Sequence, residues 1–194
     1  MSSDDKALRK TSGLSNIAVG ICKNARVTIG GDVGDLIGAL NDGATIQVEG
    51  HAGKYVADGM TDGEVLINGD ADDGAGTAMC GGTLVIKGDA KNRVGQFMKG
   101  GTIIVAGSVR HHVGSLMIAG TIIIGGNAGR ELGNSMMGGT IYIRGSHETL
   151  CANLQKTQTA QTDVEALEQL LAKYRLNLNC REFAKISTRP SIIM

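Results

Sequence analysis

The hydrophobic pattern of this chain repeats every 19 residues. Two aliphatic positions, separated by one residue, recur seven times without an insertion. The first position holds Val27, Ile46, Val65, Leu84, Ile103, Ile122 and Ile141, and the second holds Ile29, Val48, Ile67, Ile86, Val105, Ile124 and Ile143. A spacing of two is the period of a β-strand, so both side chains of a unit point to one face. Each unit therefore predicts one short strand with a buried face.

A glycine follows each predicted strand with the same period, and a short polar residue usually comes next. These glycines are Gly31, Gly50, Gly69, Gly88, Gly107, Gly126 and Gly145. Glycine before Asp, Ser or Asn is typical of turns, because glycine tolerates positive φ and the polar side chain can bond the local backbone. We interpret the seven residues as structural corner glycines.

Fixed corners and a constant unit length predict a coil rather than a series of hairpins. In a coil, equivalent residues of successive units stack directly, separated by one strand spacing. Five methionines also lie on this lattice and would fill irregular gaps in the interior. They are Met60, Met79, Met98, Met117 and Met136. The predicted fold is all-β: a right-handed, single-stranded parallel β-helix of about seven 19-residue coils, with a C-terminal α-helix.

The domain prediction follows from where the repeat begins and ends. Residues 15–148 form the β-helix domain, residues 1–14 a flexible N-terminal tail, and residues 149–194 a C-terminal tail. Within that tail, apolar residues at helical spacing from Val164 to Tyr174 predict an amphipathic helix over 163–175. Thr162 and Glu165 fit a T-x-x-E capping box at its start.

One outward-facing position is apolar where an exposed strand should be polar. Between the two core columns it holds Leu66, Val85, Ile104, Ile123 and Tyr142 in five successive coils. We call these five residues the stripe. It is about 19 Å tall at the strand spacing, which is larger than scattered surface leucines would give. Either the C-terminal helix or a partner protein could cover it, so the stripe is both a predicted helix-packing surface and a candidate interface.

Composition excludes several classes of protein. The formal net charge is +0, which gives no reason to expect nucleic acid or an acidic membrane surface. The 30 glycines have no period of three, so the chain is not collagen-like. The four cysteines are scattered, which favours reduced thiols in a cytoplasmic protein. No apolar run is long enough to span a membrane.

No motif predicts catalysis, cofactor binding or metal binding by this chain. A dinucleotide-binding glycine motif needs a strand before it and a helix after it, and the repeat has no helix. His111 and His112 are adjacent and should point in different directions, so we interpret them as surface residues. An acyltransferase of the left-handed β-helix kind could use one of them as a base, but its hexapeptide repeats close a coil in 18 residues rather than 19.

The segment GGTLVIKGDAKNRVGQFMKGGTIIVAGSVRHHVGSLM resembles the C-terminal GXGXG β-helix domain of the glutamate synthase large subunit. The resemblance covers about residues 26–148. The length of the chain is most similar to the stand-alone subunit of archaeal-type glutamate synthase or N-methylglutamate synthase. The β-helix subunit of formylmethanofuran dehydrogenase carries a similar repeat and is the near alternative.

The resemblance implies a non-catalytic scaffold subunit that holds a glutamine amidotransferase against an FMN-dependent synthase. It also implies that FMN and an iron–sulfur cluster lie on partner subunits and that this chain binds neither. No catalytic residue of the family carries over to this sequence. A self-assembling structural protein is a further alternative, because the open ends of a β-helix expose strand edges.

Charge divides the repeat into two halves. Residues 31–75 hold ten acidic residues and one basic residue, whereas residues 76–145 hold seven basic and two acidic residues. This asymmetry is either a solubility pattern or a means of orienting partners, including head-to-tail pairing of copies. A homo-oligomer is therefore left open by the sequence.

Overall fold

The computed structural model describes residues 4–9, 13–23 and 25–189, and its strands form one ten-stranded sheet. Successive strands from β1 to β8 pair in parallel, which gives a β-solenoid of about six turns with 19-residue coils. These strands are β1 (Asp4–Arg9), β2 (Ala25–Gly30), β3 (Asp42–Val48), β4 (Asp62–Ile67), β5 (Thr83–Ile86), β6 (Thr102–Val105), β7 (Thr121–Ile124) and β8 (Thr140–Ile143). The predicted parallel β-helix with a C-terminal helix is confirmed.

The interior is built from the predicted columns. Both aliphatic positions of every unit are buried, and the strands pair in register so that Leu84, Ile103 and Ile122 stack directly. The five methionines are also buried. Asn41 occupies their column in the first unit and is fully buried. Its amide nitrogen donates to the Ala44 carbonyl at 2.9 Å and its amide oxygen accepts from the Ala44 N–H at 3.0 Å, so its polar atoms are satisfied.

Six of the seven corner glycines are required by close stacking and not by positive φ. Only Gly31 among them has a positive φ, of 101°. A Cβ added at Gly107 would lie 2.1 Å from Asp89 Oδ1 and 2.7 Å from the Gly88 oxygen of the preceding coil. The expectation that positive φ explains these glycines is therefore wrong for all but the first.

Positive φ occurs instead five, seven and nine residues after each of the first six corner glycines. In the coil that begins at Gly69 these positions hold Gly74, Gly76 and Ala78, with φ of 76°, 67° and 55°. In other coils many of the same positions hold larger residues in the left-handed conformation. The chain thus turns through three alternating left-handed residues in each of these coils, and a further glycine of positive φ, such as Gly82 or Gly101, precedes the next strand.

The polar residues after the corner glycines bond the next coil and not their own turn. Asp89 Oδ1 accepts from the Ser108 N–H at 2.7 Å, and Ser108 Oγ accepts from the Asn127 N–H at 3.1 Å. The Asn127 side-chain oxygen accepts from the Ser146 N–H at 2.9 Å. The expected local turn bonds are therefore replaced by a ladder that ties each coil to the following one.

The C-terminal segment folds back over the outside of the sheet. It contains β9 (Leu154–Gln158), α1 (Gln161–Lys173), a short 3₁₀-helix (Cys180–Glu182) and β10 (Ala184–Thr188). Strand β10 pairs antiparallel with β8 on one side and with β9 on the other. The last coil therefore has no free strand edge, and the new edge, β9, is short and mostly polar.

Helix α1 begins earlier than predicted and lacks the predicted capping box. Its N-cap is Ala160, which makes no side-chain capping bond, and Thr162 lies inside the helix. Gln161 donates to Glu165 at 3.0 Å, so Glu165 is used within the first turn.

The N-terminal segment also differs from the flexible tail predicted for residues 1–14. Within it, β1 pairs in parallel with the otherwise open edge of β2. Residues 13–23 stack on the first coil, where the Asn16 N–H donates to the Asp35 oxygen and the Gly20 N–H to the Ala39 oxygen, both at 2.8 Å.

Candidate docking surfaces

The stripe is covered by the chain itself. Val85, Ile104, Ile123 and Tyr142 are buried in a cluster of their own, outside the β-helix core, and Leu66 packs against it. The C-terminal segment that packs on the stripe, which we call the cover, consists of α1 and the chain that follows it to Phe183. It contributes the buried residues Val164, Leu167, Leu171, Tyr174, Cys180 and Phe183. Of the two covers proposed from the sequence, the C-terminal helix is confirmed. The interpretation of the stripe as a partner interface is wrong, because its side chains are already out of reach.

The dimensions of helix and stripe agree. The helix has 13 residues and is therefore about 20 Å long. It starts beside Tyr142 on β8 and ends beside Glu64 on β4, a distance of four strand spacings or about 19 Å. This agreement explains why the outward position is apolar from β4 to β8 and polar before β4.

Polar contacts fix both ends of the cover. At the start of α1, Asp163 accepts hydrogen bonds from the Tyr142 hydroxyl at 2.9 Å and the Lys185 ammonium at 3.0 Å. Burial, then the bond to Asp163 and its charge, raise the pKa of Tyr142 to about 12. Burial opposes ionisation of Asp163, but the bonds from Lys185 and Tyr142 outweigh it and lower the pKa of that carboxyl. At the other end, Glu64 accepts from the Tyr174 hydroxyl at 3.1 Å and from Lys173.

A different part of the surface is apolar and exposed. Six large side chains on the arc that follows the corner glycines keep between 36% (Leu116) and 63% (Met137) of their area in solvent. We call them the apolar face: Leu40, Tyr55, Phe97, Leu116, Ile118 and Met137. A groove of about 170 Å³ on this arc touches Arg93, His112, Leu116 and Ser135, which belong to three successive coils. The repeat therefore exposes large apolar side chains in five of its coils.

Four residues of the apolar face are also conformationally costly. Leu40, Tyr55, Phe97 and Leu116 have φ between 56° and 59°. Left-handed conformation costs a residue with a side chain about 1–2 kcal/mol, and the equivalent position in another coil holds Gly59. Arg93, His112 and Glu131 take the same conformation in other coils, so this cost is general to the repeat. What distinguishes the apolar face is its exposed apolar area, which indicates a binding role.

The apolar face could not be found from the hydrophobic columns, because its residues belong to none of them. Large apolar side chains appear nine residues after the corner glycine in three coils, where the same column elsewhere holds Gly59, Ala78 and Ser135. This alternation between small and large residues, at a position outside the core, is the sequence signal from which the apolar face could have been predicted.

The two adjacent histidines make separate contacts. His111 Nδ1 accepts from the Arg130 N–H at 3.0 Å, and His112 Nδ1 lies 3.1 Å from a carboxylate oxygen of Glu131. Among the described residues, no group of three or more His, Cys, Asp or Glu side chains could hold a metal ion. In the same part of the chain, no helix has the length and hydrophobicity needed to cross a bilayer.

Comparison with solved structures finds a similar chain in the formyltransferase/hydrolase complex FhcABCD from Methylorubrum extorquens, a crystal structure in complex with methylofuran. The two chains are 34% identical and superpose with a TM-score of 0.82, and the match covers 90% of this chain and 68% of that one. No curated protein matches the sequence. A comparison with protein families matches residues 15–186 to the family described as GXGXG motif. By the extent of both matches, this chain belongs to the GXGXG motif family.

Proposed function

We propose that this chain is a non-catalytic structural subunit of a multi-subunit complex of the formyltransferase/hydrolase kind, akin to formylmethanofuran dehydrogenase. The observation that carries the proposal is the 34% identity to a chain of such a complex over 90% of this chain. The match is long enough to include the C-terminal cover as well as the repeat. It supports a complex of this kind better than it supports a glutamate-synthase-type complex.

The non-catalytic part of the proposal rests on how the polar side chains are used. The acids, amides and hydroxyls after the corner glycines accept backbone N–H groups of the next coil, as in the Asp89, Ser108 and Asn127 ladder. A second column does the same, since the Asp73 carboxylate accepts the Asn92 N–H at 2.9 Å. Their use as structural acceptors supports a non-catalytic role, and we propose that partner subunits carry the chemistry and its cofactors.

The β-helix suits a scaffold because its length is fixed by hydrogen-bonded coils. From β2 to β8 there are six strand spacings, or about 29 Å. A ligand or partner bound to one coil is therefore held at a set distance from a partner bound several coils away. Exposed apolar side chains in strained conformations supply the contacts that such a role requires.

A glutamate-synthase-type complex is the second candidate, favoured by the family match to the GXGXG motif. In that case the partners would be a glutamine amidotransferase and an FMN-dependent synthase. FMN and the iron–sulfur cluster would be bound by those partners. The two candidates therefore differ in the subunits and cofactors that accompany this chain.

Affinity purification of the tagged chain from its native cells, followed by mass spectrometry, tests the proposal. We expect formyltransferase-like and hydrolase-like subunits in fixed proportion. A glutaminase-like subunit with a flavin absorbance at about 450 nm would replace the first candidate by the second. Recovery of the chain without any stoichiometric subunit would refute both.

A further inference from the structure

We propose that a positively charged corner of the β-helix binds an acidic segment of a partner protein. The corner consists of the third, fourth and fifth residues after three successive corner glycines, and we call these nine residues the basic corner: Lys91, Asn92, Arg93, Arg110, His111, His112, Gly129, Arg130 and Glu131. With both histidines neutral it holds four cations and one anion, a net charge of +3. This inference rests on the proposed function, because the partner is a further subunit of the same complex.

Hydrogen bonds between coils bring the basic corner together. In its first column, the Arg110 N–H donates to the Lys91 oxygen at 3.2 Å, and the Gly129 N–H donates to the Arg110 oxygen at 3.0 Å. At the other side of the corner, the Arg93 N–H donates to the His111 oxygen at 2.9 Å. The nine residues therefore form three stacked rows, about 4.8 Å apart.

The charge of the basic corner is only partly neutralised by the chain itself. Three of its side chains have an acidic neighbour, at 3.0, 3.1 and 3.6 Å: Lys91 with Asp72, His112 with Glu131, and Arg130 with Glu148. These pairs are exposed and contribute little, so other carboxylates can compete for their cations. Within the described part of the chain, the guanidinium groups of Arg93 and Arg110 have no ion pair or hydrogen bond, and both residues are exposed. Each guanidinium can bind a carboxylate through two parallel hydrogen bonds.

Folding does not require the positive charge of this corner. The same three positions after Gly31, Gly50 and Gly69 hold three aspartates and one lysine, so the coil accepts either sign. Lys91 and Arg110 stand in the same column of adjacent coils, where like charges repel and lower stability. A cluster of cations that opposes folding and faces solvent indicates that it binds an anionic ligand.

A groove beside the basic corner suits a peptide segment. It is the groove of about 170 Å³ that touches Arg93, and none of the residues that line it is acidic. Gln96, Ser115 and Asn134 place amide and hydroxyl groups along it, and Leu116 adds apolar area. An acidic side chain of the partner can therefore bind Arg93 while an apolar neighbour packs on Leu116.

The height of the basic corner limits the length of the ligand. Its three rows span two strand spacings, or about 10 Å, which an extended chain covers in about three residues. In the preceding coil the equivalent positions hold Asp72 and Asp73, which repel an anion that continues past the corner. A nucleic-acid strand carries a phosphate on every nucleotide, and the basic corner has no aromatic side chain on which a base could stack. A short acidic segment of a protein is therefore the ligand that fits.

Cross-linking with a carbodiimide, which joins an amine directly to a carboxylate, tests the contact. Arg93→Lys with Arg110→Lys keeps the charge and supplies two amines, and the tagged variant is purified with its complex from native cells. We expect cross-links from positions 93 and 110 to Asp or Glu residues of another subunit. Lys54, at the same corner in the acidic half of the repeat, is the internal control and should form no cross-link to that segment.

Removing the charge should release the acidic segment. Arg93→Gln with Arg110→Gln should reduce the cross-link between Lys91 and the same subunit by at least about 10-fold, as expected when an interface loses two charged anchors. The variant should melt no lower than wild type, because it removes the repulsion between Lys91 and Arg110. Lys54→Gln is the matched control and should leave that cross-link unchanged.

Three results would overturn the proposal while leaving the proposed function intact. The first is an assembled complex with no cross-link from position 93 or 110 to another subunit. The second is a Lys91 cross-link that is as strong in the double Gln variant as in wild type. The third is nucleic acid that purifies with the wild-type chain and not with the double Gln variant, which would assign the corner to nucleic acid. A wild-type chain that purifies without any subunit refutes the proposed function and this inference together.

Discussion

Replacing Ile104 by Ala should detach the C-terminal cover before it unfolds the β-helix. Ile104 is fully buried, but it points outward into the cluster beneath α1. The change removes three carbon atoms, worth about 2.4 kcal/mol of transfer free energy. The cavity that remains adds to this, so the total loss is about 3–4 kcal/mol. This loss falls on the contact between α1 and the sheet.

Hydrogen exchange resolved by segment measures the effect directly. A loss of about 3–4 kcal/mol lowers the protection of amides in α1 by about 100- to 1,000-fold if the cover opens as a unit. Amides of β5 to β7 should keep nearly wild-type protection, because the stacked coils stay paired without the helix. The 3₁₀-helix should lose protection together with α1.

Ile103→Ala is the matched control. Ile103 is the neighbouring residue, has the same side chain and is equally buried, but it faces the interior of the β-helix. Its loss should lower the melting temperature of the whole chain by about 6–12 °C for a loss of about 3 kcal/mol. Exchange should then rise in the sheet as much as in α1. Identical exchange patterns for the two variants would refute the separation of stripe and core.

Three further changes test the ladder, the corners and the cover. Asp89→Ala should cost about 1 kcal/mol in urea unfolding, whereas Asp89→Asn should be nearly neutral, because Asn127 makes the equivalent bond to the next coil. Gly107→Ala should destabilise by about 1–3 kcal/mol through its clash with Asp89 and Gly88, despite an ordinary φ. The pKa of Tyr142, about 12 in the folded chain against about 10 unfolded, predicts stability that is complete below pH 10 and lost as pH rises toward 12. Tyr142→Phe should remove that alkaline loss, measured by urea unfolding at about pH 9 and about pH 11.5, on either side of the unfolded tyrosine pKa.

The β-helix could be predicted because its information is repeated and local. Each unit predicts the same short strand, 19 residues after the one before. Two aliphatic columns that agree in all seven units cannot arise by chance. The reason for the corner glycines could not be found in the same way. A clash between Gly107 and Asp89 joins residues of adjacent coils, and only the three-dimensional register shows it.

The ends of the sheet were harder to predict because their strands have little pattern. Strand β9 buries only Leu154, and β10 buries only Ile186. Each forms because it finds an unpaired backbone edge and not because its side chains alternate. Pairing of this kind depends on where the chain returns after α1, which no local window contains.

The position of α1 is explained by its length and not by its hydrophobic periodicity alone. Two covers for the stripe were compatible with the sequence, and periodicity could not choose between them. A 13-residue helix matches four strand spacings, the height over which the outward column is apolar. The helix therefore runs along the stack and not across its end, which β10 and β9 close.

Because α1 covers the stripe, the apolar side chains that stay exposed elsewhere need a separate explanation. Once α1 occupies the sheet between β4 and β8, further apolar side chains are not needed to bury anything within the chain. Those of the apolar face nevertheless remain exposed, and four of the six stand at positions of positive φ. A repeat can lose such residues one coil at a time without harming its neighbours, because each coil depends chiefly on the next. Their presence in several coils is therefore better explained by contact with a partner than by folding.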